Sequence, residues 1–331
     1  MTPKYRGDDD DYLDSDKERG SHGTGRMAKK QKPKVDYLPI EEANGTVVEV
    51  FPNQCKIKDS TGHEFACTYR KARLPTPEIR ERSPVAVGDR VRFEPVGNRD
   101  GVIDGVCVRR NFLARPAPES TMRHTIVANI DMLVIAAASR EPDFSPGLVD
   151  RFLVAAQAAQ IEPIICITKM DLFVPGSERP WTLYRDIGFT VIETCAKTGN
   201  GLSELRTVLD GKLATFCGHS GVGKTTILNA LLGFEAGKTR EVSTSTGKGM
   251  HTTTGAYLIP GTNLIDTPGI REFGLLRVKP EDLRRYFPEF ENLRCAEQDC
   301  WHRDEEGCLA QEFASYGSYR RMIESLIAGE N

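Results

Sequence analysis

No apolar run in the 331-residue chain approaches the roughly 18 residues that a membrane-spanning helix needs, so a membrane transporter is not expected. The N-terminus also lacks the basic-then-apolar order of a secretory leader. It carries the acidic run Asp8-Asp9-Asp10-Asp11 instead, and the expectation is a cytoplasmic protein. An excess of one charge is missing too: 44 Lys and Arg stand against 47 Asp and Glu, a net charge of −3. Such a total conceals local patches and therefore neither indicates nor excludes a nucleic-acid partner. Nine cysteines in a reducing compartment are better read as free thiols and metal ligands than as disulfides. With 39% hydrophobic residues over this length, the chain can build two or three cores and hence more than one domain.

What is present centres on Gly218-His219-Ser220-Gly221-Val222-Gly223-Lys224-Thr225, with apolar residues 213–217 before it and 227–232 after it. Strand, glycine-rich turn and helix in that order bring a phosphate up to backbone N–H groups at a helix N-terminus, where the macrodipole also favours an anion. Gly218 and Gly223 allow the close approach, Lys224 reaches the outer phosphates, and the Thr225 hydroxyl is placed to ligate Mg²⁺. A nucleoside triphosphate site is expected over residues 218–225.

Earlier in the chain, residues 130–138 read as a strand buried on both faces, 146–160 as a helix and 163–168 as the next buried strand, a β-α-β unit. At its end stands Thr168-Lys169-Met170-Asp171. A carboxylate beyond a strand terminus, with a lysine two residues before it, suits guanine: Asp171 accepts from the ring N–H and the exocyclic amine while the Lys169 stem lies along the base. After a strand at 190–193 comes Thr194-Cys195-Ala196-Lys197, which resembles the second guanine-contacting loop of GTPases, and a short amphipathic helix follows at 202–210. Beyond the phosphate loop, residues 241–255 are rich in Gly, Ser and Thr and contain His251-Thr252-Thr253-Thr254. This segment is expected to order around Mg²⁺ and the terminal phosphate, with Thr253 as the ligand. A strand at 257–265 then delivers Asp266-Thr267-Pro268-Gly269, in which Asp266 holds the Mg²⁺ shell through water and the Gly269 N–H meets the terminal phosphate.

The flanking regions read differently. Residues 1–38 are charged and poor in apolar side chains, a disordered tail whose basic run (Arg26, Lys29, Lys30, Lys32, Lys34) is either a solvated face or an arm for RNA phosphates. Five short strands follow, at 45–51, 54–59, 64–69, 91–95 and 102–109, and suggest a small Greek-key barrel of the OB type spanning 39–112. Arg70, Lys71, Arg73, Arg109 and Arg110 would supply its phosphate contacts, or simply solubilise it. Residues 111–125, with Pro116 and Pro118, read as a linker into a GTPase domain at 113–278. The last region, 279–331, has helices at 280–287 and 318–328 around Cys295, Cys300, His302 and Cys308, a complete tetrahedral Zn²⁺ set with no open position, as in structural sites. So short a segment has little core, and zinc is expected to supply most of its folding free energy.

In Ras-like GTPases the phosphate loop comes first and the base-reading loop late; here the base-reading pair precedes residues 218–225, 252–254 and 266–269. The same site is built by a circularly permuted chain. With a barrel before it and a cysteine-bearing tail after it, the sequence resembles the RsgA or YjeQ family of circularly permuted, small-ribosomal-subunit-dependent GTPases from about residue 40 onward. The resemblance implies a GTP hydrolase, acting as a monomer, that binds the small (30S) subunit and its rRNA as a late maturation checkpoint and is stimulated by it. Three positions depart from the usual patterns: Thr168 stands where Asn is favoured, Met250 where Arg is common in the family, and Ile270 where many GTPases place a water-orienting Gln. Catalysis is therefore assigned to Lys224, Thr225 and a water-orienting histidine, His251 first and His219 second. The alternatives are a nucleotide-gated RNA-binding module with incidental hydrolysis, and an unrelated P-loop ATPase.

Overall fold

The computed structural model describes residues 35–75, 80–81, 83–115, 122–235, 255–267, 275, 278–290, 293–295, 300–303 and 305–329. The tail at 1–34, His251, Thr252, Thr253, Thr254, Gly269 and Ile270 lie outside the described residues. Residues 35–331 form one compact unit.

Gly45–Phe51 (β1), Gln54–Asp59 (β2) and Glu64–Tyr69 (β3) form as the alternating pattern predicts. A two-residue strand, Arg80–Glu81 (β4), then precedes Arg90–Val96 (β5) and Asp100–Val106 (β6). β1, β2, β3, β6 and β5 close into a five-stranded barrel, β5 pairing back onto β1, with β3 and β6 parallel and every other pair antiparallel. Period-2 alternation sends Cys55, Ile57, Phe65, Cys67, Val91, Phe93 and Ile103 into one core.

The stretch read as a linker is instead structured: Phe112–Arg115 (β7) pairs antiparallel with Met122–Ala128 (β8), and β8 carries β4 on its other edge. Pro116 and Pro118 both follow β7, so every amide the ladder needs is still a donor there. Met132–Ala138 (β9), the helix Pro146–Ala158 (α1), Glu162–Thr168 (β10), the short helix Thr182–Asp186 (α2), Val191–Glu193 (β11), Leu202–Leu209 (α3), Ala214–Cys217 (β12), Lys224–Leu232 (α4), Tyr257–Leu258 (β13) and Leu264–Asp266 (β14) complete the central domain. Its sheet runs β11-β10-β9-β12-β14-β13, parallel apart from β13. The strand expected over 257–265 is thus a hairpin, turned at Gly261, where φ is +75°.

The unbroken apolar run of β9 is explained by covering on both faces. Leu133, Ile135 and Ala137 pack with α1, while Met132 and Val134 pack with α3 and α4. Truncating a fully buried member of such a layer, Phe152 of α1 for example, costs about 3–5 kcal/mol. At its far edge the sheet continues into the barrel, since β13 pairs with β1 at Tyr257 and Glu49. The C-terminal segment has a helix of 3-10 type at Pro280–Tyr286, within the stretch expected to be helical, and ends in Tyr316–Ala328 (α5). Its Phe287, Phe290, Tyr319, Met322, Ile323 and Leu326 join the α1 core, so this region has more apolar support than its length suggests. All nine cysteines are free thiols, and no helix among the described residues is long and apolar enough to cross a membrane.

Candidate active site

The loops of interest leave the carboxyl ends of β9, β10, β11, β12 and β14, the side of a parallel sheet on which ligands bind. After β12 the backbone turns through Gly218 (φ +136°), Gly221 (φ +80°) and Gly223 (φ +91°) into α4. Gly218 is obligatory, because a Cβ there would stand 2.2 Å from the Ala136 carbonyl oxygen. Lys224 Nζ donates to the carbonyls of Gly218 at 2.8 Å and His219 at 2.9 Å, which holds the ammonium over the loop. Thr225 is exposed in the first turn of α4, Ser220 and His219 are exposed at the loop crest, and Val222 is buried beneath it. His219 Nδ1 lies 2.8 Å from the Ser220 carbonyl.

The loop after β10 packs directly on this turn. Thr168, 1% exposed, donates its hydroxyl to the Val222 carbonyl at 2.5 Å. A Cβ on Gly223 would meet Thr168 Oγ1 at 3.8 Å and Lys169 Cε at 3.9 Å, so the Lys169 stem runs alongside the phosphate loop. Lys169 adopts a left-handed backbone (φ +55°), and its ammonium donates to the Glu141 carbonyl. Ser139, which the sequence did not single out, fixes that turn: its hydroxyl donates to the Lys169 carbonyl at 2.7 Å and its N–H to the Thr168 carbonyl at 3.0 Å. The second loop is tied on through the Met170 N–H to the Thr194 carbonyl, and Thr194 is fully buried. Asp171 accepts from Lys197 Nζ at 2.6 Å and from the Cys195 thiol at 3.4 Å. The Lys197 contact is the main reason its carboxyl lies below the usual range. Lys197 was quoted within its motif, but nothing local in the sequence marked it as the partner of Asp171. Ala196, between the two, is half-buried.

Asp266 ends β14, one strand over from the phosphate loop, where Thr215 pairs with Ile265. The next residue, Thr267, is buried and donates to the Phe216 carbonyl at 3.1 Å. A hydroxyl at Thr225 and a carboxylate at Asp266 are the hard oxygen donors that Mg²⁺ takes.

Residues 106–276 match the RsgA GTPase family model. Over 86% of this chain and 98% of the other, the fold is similar to that of YjeQ from Thermotoga maritima at 32% identity, with a TM-score of 0.64. The chain belongs to the RsgA GTPase family. It is therefore a GTP hydrolase of circularly permuted order. YloQ, a circularly permuted GTPase, shares the fold at 24% identity and a TM-score of 0.62, over 87% of this chain and 96% of the other.

The second cluster tests the zinc expectation. Nδ1 of His302 lies 3.6 Å from Cys295 Sγ, 3.4 Å from Cys300 Sγ and 3.4 Å from Cys308 Sγ, and all four ligand atoms fall within 4.8 Å of one another. Tetrahedral Zn²⁺ with its usual Zn–S and Zn–N distances requires S···N edges of about 3.6 Å, so the donor set fits the ion. Burial pushes the Cys300 thiol up to about 12 and raises that of Cys308, so thiolates here call for a cation.

One expectation fails for a physical reason. Arg109, proposed for phosphate contact, is buried in an ion triad: its Nε and Nη2 reach the two oxygens of Asp89 at 2.8 Å, and its Nη1 reaches Glu81 at 3.0 Å. Arg70, Arg73 and Arg110 also engage carboxylates, of Glu94, Asp104 and Asp131. Lys71 stays exposed.

Proposed function

We propose that this GTPase works on the small ribosomal subunit and its rRNA as a late maturation checkpoint, its hydrolysis stimulated by that subunit. The observation that carries the reading is a cavity of about 550 Å³ lined on one side by Phe51, Asn53 and Lys71 of the barrel and on the other by Gly255, Ala256 and Thr267. Gly255 and Ala256 directly follow segment 251–254, and Thr267 belongs to segment 266–269; both segments are assigned to the terminal phosphate. RNA gripping the barrel therefore has a short route to the groups that position water and phosphate. Asp171 selects guanine by accepting its N–H groups in exchange for Lys197, and Thr168, Lys169, Met170, Thr194, Cys195 and Ala196 shape the base site. Residues 218–223 cradle the phosphates with backbone N–H groups, and Lys224 neutralises developing charge. Thr225, Thr253 and Asp266 would hold Mg²⁺, which would supply further neutralisation. Gly269 contacts the terminal phosphate and His251 orients water. Zn²⁺ on Cys295, Cys300, His302 and Cys308 is structural.

Steady-state GTP hydrolysis with small subunits, large subunits or neither, at two salt concentrations, tests this. Small subunits should raise the rate by about 10³-fold or more, and rising salt should weaken the effect because the grip depends on phosphate contacts. Equal rates in all three would overturn the ribosomal reading and leave the GTPase assignment intact.

A further inference from the structure

The short turn that carries Asp171 is held on the sheet from outside its own motif. β10 ends at Thr168, and Lys169 then takes a left-handed backbone (φ +55°, ψ 40°), a conformation that a residue with a Cβ keeps only where its surroundings hold it. The 3-10 turn Met170–Leu172 follows and closes on itself, the Leu172 N–H donating to the Lys169 carbonyl at 2.9 Å. That closure does not fix how the turn sits on the sheet. Two long-range contacts to the Lys169–Met170 peptide do: its oxygen also accepts from the Ser139 hydroxyl at 2.7 Å, and its N–H donates to the Thr194 carbonyl at 3.2 Å. Ser139 stands just past β9 and Thr194 just past β11, so the peptide is gripped from the strands on both sides of β10. Both residues are buried. The Ser139 N–H donates to the Thr168 carbonyl at 3.0 Å, which carries the β9–β10 ladder one step beyond the pair Ala138 and Thr168.

We propose that Ser139 is a positioning residue for guanine selection: its hydroxyl sets the tilt of the Met170–Leu172 turn, and with it the direction in which the Asp171 carboxylate meets the base. That role rests on the reading of Asp171 as the guanine-selecting residue. To accept the ring N–H and the exocyclic amine together, a carboxylate must lie near the plane of the base, because hydrogen bonds weaken steeply as they bend. The other partners of Asp171 are poorly suited to setting that direction. Lys197 is a point charge on a flexible stem, with its side chain 75% exposed, and the Cys195 thiol is a weak donor at 3.4 Å. The Ser139 contact is short, buried and made to backbone, two residues before the carboxylate. Its chemistry is also separable from the fold: alanine at this position removes the hydroxyl, keeps the backbone N–H that extends the ladder, and leaves the Lys169 oxygen its Leu172 partner.

The test compares GTP with inosine triphosphate, which lacks the exocyclic amine, in the full-length wild type, Ser139→Ala, Ser139→Thr and Asp171→Asn. Competition binding gives the affinities, and steady-state hydrolysis gives kcat and KM. In Ser139→Ala the affinity for GTP should fall about five- to tenfold, the net worth of one neutral hydrogen bond. The preference for GTP over inosine triphosphate should fall about threefold or more, because GTP offers Asp171 two N–H groups and inosine triphosphate one. The kcat at saturating GTP should stay within about twofold, since the hydrogen bonds of Ser139 go to Thr168 and Lys169 and not to the glycine-rich loop. A merely loosened fold would instead weaken both nucleotides alike and leave the preference as it was. Ser139→Thr keeps the hydroxyl and should recover the preference. Should Ser139→Ala not fold by circular dichroism, Ser139→Cys, which keeps the shape and weakens the donor, carries the same measurement. A preference within twofold of wild type in the folded variant, or the same loss in Ser139→Thr, would overturn the proposal. Asp171→Asn separates the two levels. Unchanged GTP affinity there removes the base site and the role of Ser139 with it, whereas a switch toward xanthosine triphosphate beside an unaltered Ser139→Ala removes the role of Ser139 alone.

Discussion

Thr168 shows how a departure from a motif is accommodated by one atom. Its hydroxyl donates to the Val222 carbonyl inside the glycine-rich loop, so the loops after β10 and β12 are fastened at a buried point without the amide that the GTPase pattern leads one to expect there. A lost partner at such a site leaves the carbonyl unsatisfied and costs about 1–3 kcal/mol, so an apolar residue of equal size would pack there at a net loss. On the proposed reading base selection rests on Asp171, whose carboxylate is held ionised by its contact with Lys197. Asp171→Asn exchanges an acceptor for a donor. Guanine loses two charge-assisted hydrogen bonds of about 1.5–3 kcal/mol each, so GTP affinity should fall tenfold or more while xanthosine triphosphate gains a partner for its carbonyl. Competition binding with both nucleotides checks this, and GTP affinity within twofold of wild type would remove Asp171 from the base site.

Among the elements, the Cys295–Cys308 region owes its shape to two sources. Zn²⁺ would bind the four ligands that already stand at tetrahedral spacing, while Phe287, Phe290 and Tyr319 anchor the flanking turns and α5 on α1. Cys300→Ala should release about one equivalent of zinc by elemental analysis and open residues 293–308 to protease. The α5 helix should stay protected, because its buried face, Tyr319, Met322, Ile323 and Leu326, does not depend on the metal. Early cleavage within α5 as well would show that zinc supports the whole segment, as its short length alone suggested. What was legible in the sequence follows the same division. The glycine-rich turn between β12 and α4, the clustering of Cys295, Cys300, His302 and Cys308, and β9 were readable because their spacing or periodicity is written in nearby residues. The 3-10 geometry at Pro280–Tyr286 was not, since its apolar spacing also suits an α-helix. The turn in the β13–β14 hairpin did have a signal, Pro260-Gly261, which the apolar run around it obscured. β7 was hidden by the prolines that follow it.

For the molecule as a whole, the joint between barrel and GTPase domain depends on a residue whose role could not be read locally. An arginine in the barrel has the same letter whether it faces phosphate or a buried carboxylate, and the partners of Arg109 lie 20 and 28 residues away in sequence. In the fold it links Asp89, at the entrance to β5 of the barrel, to Glu81 of β4, and it also donates to Thr125 of β8 at 3.4 Å. β8 in turn feeds Ile126 and Val127 into the core shared with α1, so the triad fastens the barrel to the nucleotide-binding sheet. Burial works against the charge of Arg109, but the two carboxylates outweigh it and hold the guanidinium above its ordinary range. Removing one partner from a buried ion network strands the others: Arg109→Ala leaves Asp89 and Glu81 uncompensated and should cost about 3–5 kcal/mol in urea denaturation. Arg109→Lys should recover only part of this, because a single ammonium cannot reproduce the two-oxygen grip on Asp89. A surface arginine serving RNA would behave oppositely, with unchanged stability and weaker binding. A denaturation midpoint matching wild type in Arg109→Ala would therefore return Arg109 to the phosphate-contact role and leave the joint to the backbone pairings of β1 with β13 and of Val87 with Val127.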